Sequence, residues 1–185
     1  MVDQGTGQLE MDTGFENASK VIAPVFKVVL GDGKADGLGF EPRDVFLWGF
    51  GQGGMAALSL AEALNIELGG VVSIGGNPPA SKSAMKRVIE TVGDVAPKKQ
   101  EGKAKTPVLL CGGNRHTAVT ANTLREAKER FDSVEYVKWE REGDSMARNR
   151  EEMLPIMKFL ARRLRISAPV GTEEVSGVSR AWLQQ

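Results

Sequence analysis

The segment 49–54, GFGQGG, is the part of the chain whose residue types and spacing best suit chemistry. Read literally, Gly49, Gly51 and Gly54 form G-x-G-x-x-G, the fingerprint that lets a dinucleotide pyrophosphate approach a helix N-terminus. Read as G-x-S-x-G with its serine replaced, the same segment is a nucleophile elbow, in which a strained turn presents the attacking residue. A turn that only packs a strand closely against a helix is the third interpretation.

The dinucleotide interpretation requires an aspartate or glutamate roughly 20 residues further on, at the end of the next strand, to hold the ribose hydroxyls. The next apolar run, 70–74, is followed by two glycines and Asn77, so the acid is missing. The elbow is therefore the favoured interpretation, and a dinucleotide-binding protein is a less favoured alternative. We expect no bound cofactor and no metal.

Strands and helices must alternate around this turn if it is to present a side chain. The run 44–50 is short, apolar and rich in Val, Phe and Trp, which predicts a strand buried on both faces. Further strands are predicted over 70–74, 107–111 and 134–139. Helices are predicted over 15–30, with a kink or break at Pro24, and over 55–64, 82–92, 120–131 and 153–164. This alternation predicts an α/β fold with a mainly parallel sheet flanked by helices.

Several segments in order resemble the acyl-protein thioesterase and carboxylesterase (phospholipase/carboxylesterase) family of α/β-hydrolases. The family elbow, Gly-Phe-Ser-Gln-Gly-Gly after an apolar strand, matches 45–54 apart from Gly51. GGVVSIGGNPP, at 69–79, is similar to a strand that ends in a Ser-Gly-x-x-Pro loop. PVLLCGG, at 107–113, and EREGDSM, at 140–146, are similar to the later strand and to the Gly-His-Ser-like turn before the last helix.

A hydrolase of this type needs a serine, an aspartate and a histidine in that chain order. The resemblance places the serine on Gly51, the aspartate on His116 and the histidine on Asp144. Glycine cannot attack, and an ordinary aspartate, with a pKa of roughly 4, is a poor base near neutral pH. The triad is therefore degenerate, and we expect no catalytic residue at these three positions.

Other side chains and backbone groups near these three positions could still support hydrolysis or ligand binding. His116 and Asp144 are expected to face each other in exchanged positions, and water or Ser145 would have to act as the nucleophile. Ser145 is otherwise expected to cap the next helix, and Cys111 is expected to be buried and inert. The backbone N–H groups of Gln52 and Gly53 remain suited to an oxyanion, or to a small acyl or carboxylate ligand.

The resemblance also implies strands and a glycine-rich oxyanion loop ahead of the helix at Phe15, where this sequence has fourteen residues. A parallel sheet without them exposes an edge, which predicts a protein partner or a homo-oligomer that covers it. We expect a flexible lead over 1–14, an α/β-hydrolase-like domain over 15–165 and a polar tail over 166–185. In the tail, disorder is favoured over a docking motif at 180–182, Arg-Ala-Trp.

Composition excludes several classes of protein. The 24 basic and 24 acidic residues balance, so nucleic acid is not expected as a partner. Cys111 is the single cysteine, which fits a reducing compartment. The sequence has neither an apolar run long enough to span a membrane nor a secretory signal at its start, and these observations predict a cytoplasmic protein.

Two functions follow as hypotheses. The first is a catalytically inactive α/β-hydrolase-like protein that acts as a binding or structural subunit of a larger assembly. The second is a weak carboxylesterase or acyl-protein thioesterase. The second rests on the fold, and fold alone does not determine function.

Overall fold

The computed structural model describes residues 15–30, 37–64, 66–78 and 102–164. In chain order, its elements are α1 (Phe15–Leu30), a 3-10 turn (Pro42–Asp44), β1 (Phe46–Phe50), α2 (Gln52–Leu64), β2 (Gly70–Ile74), β3 (Val108–Gly112), α3 (Ala121–Arg130), β4 (Val134–Lys138) and α4 (Arg150–Ala161). The predicted helix over 82–92, the lead over 1–14 and the tail over 166–185 lie outside the described residues.

The four strands form one parallel sheet in the order β1-β2-β3-β4. Phe46 pairs with Gly70 in the first ladder, and Val71 pairs with Val108 in the second. The predicted fold class, a parallel sheet flanked by helices, is confirmed. Because parallel strands all end at the same edge, the loops after β1, β2, β3 and β4 meet there.

Helices pack on both sides of the sheet. Leu58 and Leu64 of α2 share one buried cluster with Val71, Leu110 and Phe131. A second cluster lies on the other side, where alternate strand residues join α4; its members are Val72, Ile74, Leu109, Cys111, Trp139, Ile156 and Phe159. β2 and β3 are therefore buried throughout, because helices cover both faces of the sheet at these strands.

β1 is less covered than its neighbours, so the burial on both faces predicted for the run 44–50 is wrong. Trp48 is 42% exposed and Phe50 is 48% exposed, although both lie in a strand of a parallel sheet. The strand pairs with β2 on one side only, so it forms an edge of the sheet in the described part of the chain. An edge strand with exposed aromatic side chains is an unusual feature for an isolated chain.

Polar side chains determine where two helices begin. The hydroxyl of Thr120 accepts a hydrogen bond from the N–H of Thr123 at 3.2 Å and caps α3. The Asn149 side chain accepts from the N–H of Glu152 at 2.9 Å, so α4 begins at Arg150, three residues before the predicted start. At the other end of the chain, α1 continues through Pro24, and the predicted break does not occur.

The described residues just before β3 pack against the end of α3. Ala104 is buried and forms a bridge to Phe131, and its N–H donates to the Arg130 carbonyl at 2.8 Å. This contact places the end of α3 beside the entry to β3. None of the helices in the described ranges is long and apolar enough to cross a bilayer.

Candidate active site

The turn after β1 has the geometry of a nucleophile elbow. The N–H of Gly51 donates to the Ile74 carbonyl at 2.8 Å, which continues the ladder between β1 and β2. The Gly51 carbonyl then accepts from the N–H of Met55 at 3.1 Å, the first hydrogen bond of α2. Gly51 has a φ of 52°, in the left-handed region. The chain thus changes from strand to helix at one residue with a positive φ, as an elbow requires.

The glycines around this turn have different physical roles. A Cβ atom at Gly49 would lie 2.2 Å from the carbonyl carbon of Gly53, and one at Gly54 would lie 2.4 Å from the hydroxyl oxygen of Ser73. Close packing of α2 on the sheet therefore requires both glycines. A Cβ atom at Gly51 would have no atom within 4 Å of those compared. Position 51 has the space that a nucleophile would need, but it holds no side chain.

Asp144 lies at the same edge of the sheet and holds the loop after β3. Its Oδ1 accepts from the N–H of Gly113 at 3.1 Å and from the hydroxyl of Thr117 at 2.7 Å. Its Oδ2 accepts from the N–H of Ala118 at 2.7 Å. Three donors on one carboxylate fix the loop 113–118 against the loop after β4.

Two glycines after β2 lie between the elbow and Asp144. A Cβ atom at Gly76 would be 2.8 Å from the Gly51 carbonyl oxygen, and one at Gly75 would be 2.5 Å from the Asp144 Cβ. The predicted positions 51 and 144 are therefore brought to one region, separated by the backbone of Gly75 and Gly76.

His116 does not face Asp144, so the pair that the sequence allowed is not formed. Nδ1 of His116 pairs with the carboxylate of Glu142, and both side chains are exposed, by 79% and 66%. His116 has a φ of 48°, and next to it Arg115 forms a bridge with Glu142. The N–H of Gly143 also donates to the Arg115 carbonyl at 2.7 Å. This pairing of the two loops directs the imidazole to Glu142 and towards solvent.

Ser145 has a different role from the predicted helix cap. Its hydroxyl contacts the Arg141 guanidinium, which also donates to the Ser145 carbonyl at 2.5 Å and the Met146 carbonyl at 3.2 Å. Arg141 lies 4.4 Å from the Trp139 ring centroid and 3.2 Å from a Glu152 carboxylate oxygen. Sequence reasoning missed Arg141, because its contacts depend on how the loop after β4 folds against Trp139 and Glu152.

The remaining candidate nucleophiles near the strand ends are buried. The Ser73 hydroxyl is fully buried and donates to the Gly76 carbonyl at 3.2 Å. Cys111 is fully buried in β3, and burial raises the pKa of its thiol to about 12. The predicted burial of Cys111 is confirmed, and a thiol with this pKa is almost entirely protonated at neutral pH.

The thiol of Cys111 is expected to be unreactive in the folded protein. At pH 8 the raised pKa lowers its thiolate fraction by about three orders of magnitude relative to an ordinary cysteine, and burial blocks the reagent. Labelling with Ellman's reagent should therefore be slow in buffer and rapid in guanidinium chloride. Equal rates under the two conditions would contradict the buried position of Cys111.

Comparison with known proteins agrees with this geometry. The phospholipase/carboxylesterase family model matches residues 6–162, which is most of the chain. The chain belongs to the phospholipase/carboxylesterase family. No curated protein sequence gives a significant match.

Solved structures support the same fold for this family member. A variant of SOBER1 from Arabidopsis thaliana superposes with a TM-score of 0.60 at 20% identity, over 88% of this chain and 70% of that one. A phospholipase/carboxylesterase from Dyadobacter fermentans superposes with a TM-score of 0.51 at 16% identity, over 84% of this chain and 65% of that one. An esterase named PE8 superposes with a TM-score of 0.51 at 22% identity, over 83% of this chain and 65% of that one. At these identities the likeness concerns the fold alone.

Proposed function

We propose that this chain is a catalytically inactive member of the phospholipase/carboxylesterase family that acts as a binding or structural subunit of a larger assembly. One observation carries the proposal: the elbow holds Gly51, and the residue at the position of the base, Asp144, is used to hold a loop. The proposal includes a cytoplasmic location, which the balanced charge of the chain and the buried free thiol of Cys111 support.

The environment of Asp144 argues against general-base catalysis. The carboxylate already accepts three hydrogen bonds, from two backbone N–H groups and one hydroxyl. A water molecule could reach either oxygen only by displacing one of these donors. A base must also lie within hydrogen-bond reach of a nucleophile, and position 51 offers none.

The backbone at the start of α2 remains suited to binding. The first N–H groups of a helix have no acceptor within the helix, and the helix dipole places partial positive charge there. Gln52 and Gly53 lie at this end and are exposed. A carboxylate or a small acyl ligand is the chemistry that this end would hold.

A weak hydrolase is the second candidate, and family membership and the His116–Glu142 pair favour it. An acidic partner can orient an imidazole, as in the catalytic triad. In such an enzyme, His116 would activate water directly. The large exposure of both side chains weakens this candidate, because water competes for every hydrogen bond that such a pair makes.

Hydrolysis of p-nitrophenyl acetate separates the two candidates. We expect the folded chain to release nitrophenol no faster than the same amount of urea-unfolded chain with Cys111 alkylated, which presents the same histidine without a site and without a reactive thiol. His116→Ala should lower both rates equally. Saturable turnover by the folded chain that His116→Ala abolishes would overturn the proposal and establish the hydrolase.

Gly51→Ser is expected to restore the side chain without restoring the activity. The hydroxyl has room, but a left-handed backbone conformation at a non-glycine residue costs about 1 kcal/mol. Urea denaturation should therefore show a free energy of unfolding lower by about 1 kcal/mol, with ester hydrolysis unchanged. Gly53→Ser is the matched control, because its Cβ atom also has space and its φ is not positive. A gain in turnover by Gly51→Ser alone would show that a base is present after all.

A further inference from the structure

The loop after β4 is folded around the guanidinium group of its own Arg141. Nη1 contacts the hydroxyl of Ser145, and Nη2 donates to the carbonyl oxygens of Ser145 at 2.5 Å and Met146 at 3.2 Å. Nε lies 3.2 Å from a carboxylate oxygen of Glu152, in the first turn of α4, and the guanidinium carbon lies 4.4 Å from the centroid of the Trp139 ring. Oxygen atoms therefore surround the edge of this cation, and an aromatic ring lies against its face.

The contacts of Arg141 are largely shielded from water. The side chains of Arg141 and Glu152 are 11% and 14% exposed, so each charge depends on the other and on the nearby carbonyl groups. The planar guanidinium group has donors in fixed directions, and one cation can therefore fix several oxygen atoms relative to one another. Two of those oxygens belong to the backbone, so the cation holds the chain itself and not only side chains.

Asp144 lies in the part of the loop that these contacts close. On its N-terminal side, the N–H of Gly143 donates to the Arg115 carbonyl at 2.7 Å, which holds the chain as far as Gly143. Gly143 has a φ of 71°, and glycine permits many directions for the residues that follow it. On the C-terminal side, the carbonyl of Ser145 is held by the Arg141 guanidinium. The direction in which Asp144 leaves Gly143 is therefore set by the Arg141 side chain.

Contacts continue from Asp144 to the elbow and to the loop after β3. A Cβ atom at Gly75 would lie 2.5 Å from the Cβ of Asp144. One at Gly76 would lie 2.8 Å from the Gly51 carbonyl oxygen. The Asp144 carboxylate also accepts the three hydrogen bonds that hold the loop 113–118. A displacement of Asp144 would therefore reach both the backbone beside position 51 and this loop.

We propose that Arg141 is a positioning residue of the candidate site, and that it acts through Asp144. Its guanidinium fixes residues 144–146, and Asp144 in turn fixes the loop 113–118 beside the elbow. The proposal deepens the binding part of the proposed function, on which it rests for the identity of the site, by naming the side chain that sets the geometry of the two loops. Without the guanidinium, the chain would keep its pairing at Gly143 and lose the contacts that close the loop behind it.

Amide hydrogen exchange of the full chain, followed by NMR, tests the proposal. The N–H groups of Gly113 and Ala118 donate to the Asp144 carboxylate, so their exchange reports whether it is in place. Arg141→Ala should accelerate exchange at these two amides by about tenfold or more relative to the amides of β3, since a lost hydrogen bond to a charged group corresponds to a factor of that size. A general loss of stability would instead accelerate exchange at the loop and in β3 alike.

Arg163→Ala is the matched control, because Arg163 is also partly buried against an aromatic ring. Its guanidinium carbon lies 4.2 Å from the centroid of the Phe159 ring, and its side chain, 18% exposed, lies 3.5 Å from a Glu135 carboxylate oxygen. Its loss should lower the overall stability and leave exchange at positions 113 and 118 unchanged relative to β3. Equal local acceleration by Arg141→Ala and Arg163→Ala, or none by Arg141→Ala, would overturn the proposal.

Addition of methylguanidinium separates positioning by the guanidinium from a general effect of charge. At about 50 mM, far below the molar range in which guanidinium denatures proteins, it should slow exchange at positions 113 and 118 in Arg141→Ala and leave Arg163→Ala unchanged. Arg141→Lys should behave like Arg141→Ala, because one ammonium group cannot reach a hydroxyl, two carbonyls and a carboxylate together. Full protection in Arg141→Lys, or no effect of methylguanidinium on Arg141→Ala, would show that the guanidinium does not position the loop.

Glu152→Gln tests the same contact by a milder change, should Arg141→Ala fail to fold. The glutamine amide keeps the shape of the side chain and removes the charge that faces Arg141. Exchange at positions 113 and 118 should therefore accelerate by a smaller factor than in Arg141→Ala. Unchanged exchange at both positions would count against the proposal.

The role of Arg141 and the absence of catalysis fail independently. Saturable ester hydrolysis by a chain in which Arg141→Ala loosens the loop would reject the inactive subunit and retain the positioning role. Unchanged exchange in a chain without hydrolysis would reject the positioning role and retain the loss of catalysis.

Discussion

Gly49→Ala is expected to lower the free energy of unfolding by about 3 kcal/mol or more, one of the largest effects of any single methyl group in this chain. The added Cβ atom would lie 2.2 Å from both the carbonyl carbon and the carbonyl oxygen of Gly53, and 2.4 Å from the nitrogen of Gly54. These are backbone atoms, so no rotamer change can relieve the clash. α2 would have to move away from β1, which would open the packing of the elbow. Urea denaturation followed by circular dichroism measures the change.

Gly53→Ala provides the control for this prediction, with an effect of opposite sign. Position 53 lies in α2, and its Cβ atom would have no neighbour within 4 Å of those compared. Alanine at an unobstructed helical position stabilises by roughly 0.5–1 kcal/mol relative to glycine. If Gly49→Ala and Gly53→Ala had similar effects, α2 could not cross β1 as closely as the structure places it.

Asp144→Ala is expected to lower the free energy of unfolding by about 3 kcal/mol. The change removes the acceptor of three hydrogen bonds and leaves the N–H groups of Gly113 and Ala118 without it. The loop 113–118 should loosen, and amide hydrogen exchange at these two positions should accelerate. Thermal or urea denaturation measures the stability, and exchange monitored by NMR locates the change.

Glu142→Ala is the matched control, because it removes a carboxylate two residues away. Glu142 is exposed and pairs with the exposed His116, so its loss should change the free energy of unfolding by less than about 1 kcal/mol. The free energy of unfolding of Asp144→Asn should lie between those of the two alanine variants, since the amide of asparagine retains one carbonyl acceptor. An effect of Asp144→Ala no larger than that of Glu142→Ala would mean that the three hydrogen bonds do not hold the loop.

The sequence predicts the strands well and the helix starts less well, for physical reasons. β2 has the predicted bounds, because GVVSI is apolar and buried on both faces. α2 begins at Gln52, three residues before its prediction, because Gly53 and Gly54 are poor helix formers by propensity. Close packing at Gly54 overrides that propensity. α4 also begins early, because Asn149 caps it and an isolated cap residue is a weak signal.

At the candidate site, the sequence predicts positions along the chain but not the directions of side chains. Gly51 and Asp144 come to the same sheet edge, as expected from the family pattern. The partner of His116 could not be predicted, because it depends on the bridge between Arg115 and Glu142. That bridge is a contact between two loops, and neither loop has a periodic pattern that fixes its register.

The two altered positions also differ in how easily a mutation could reverse them. A serine could be introduced at Gly51 for a modest strain, since the space is already present. A histidine at Asp144 would have to release the amides of Gly113 and Ala118 before it could serve as a base. Evolution towards an esterase would therefore pass through an intermediate with a weakened scaffold. The loop 113–118 depends on a carboxylate at position 144, so stability opposes the substitution that catalysis would require.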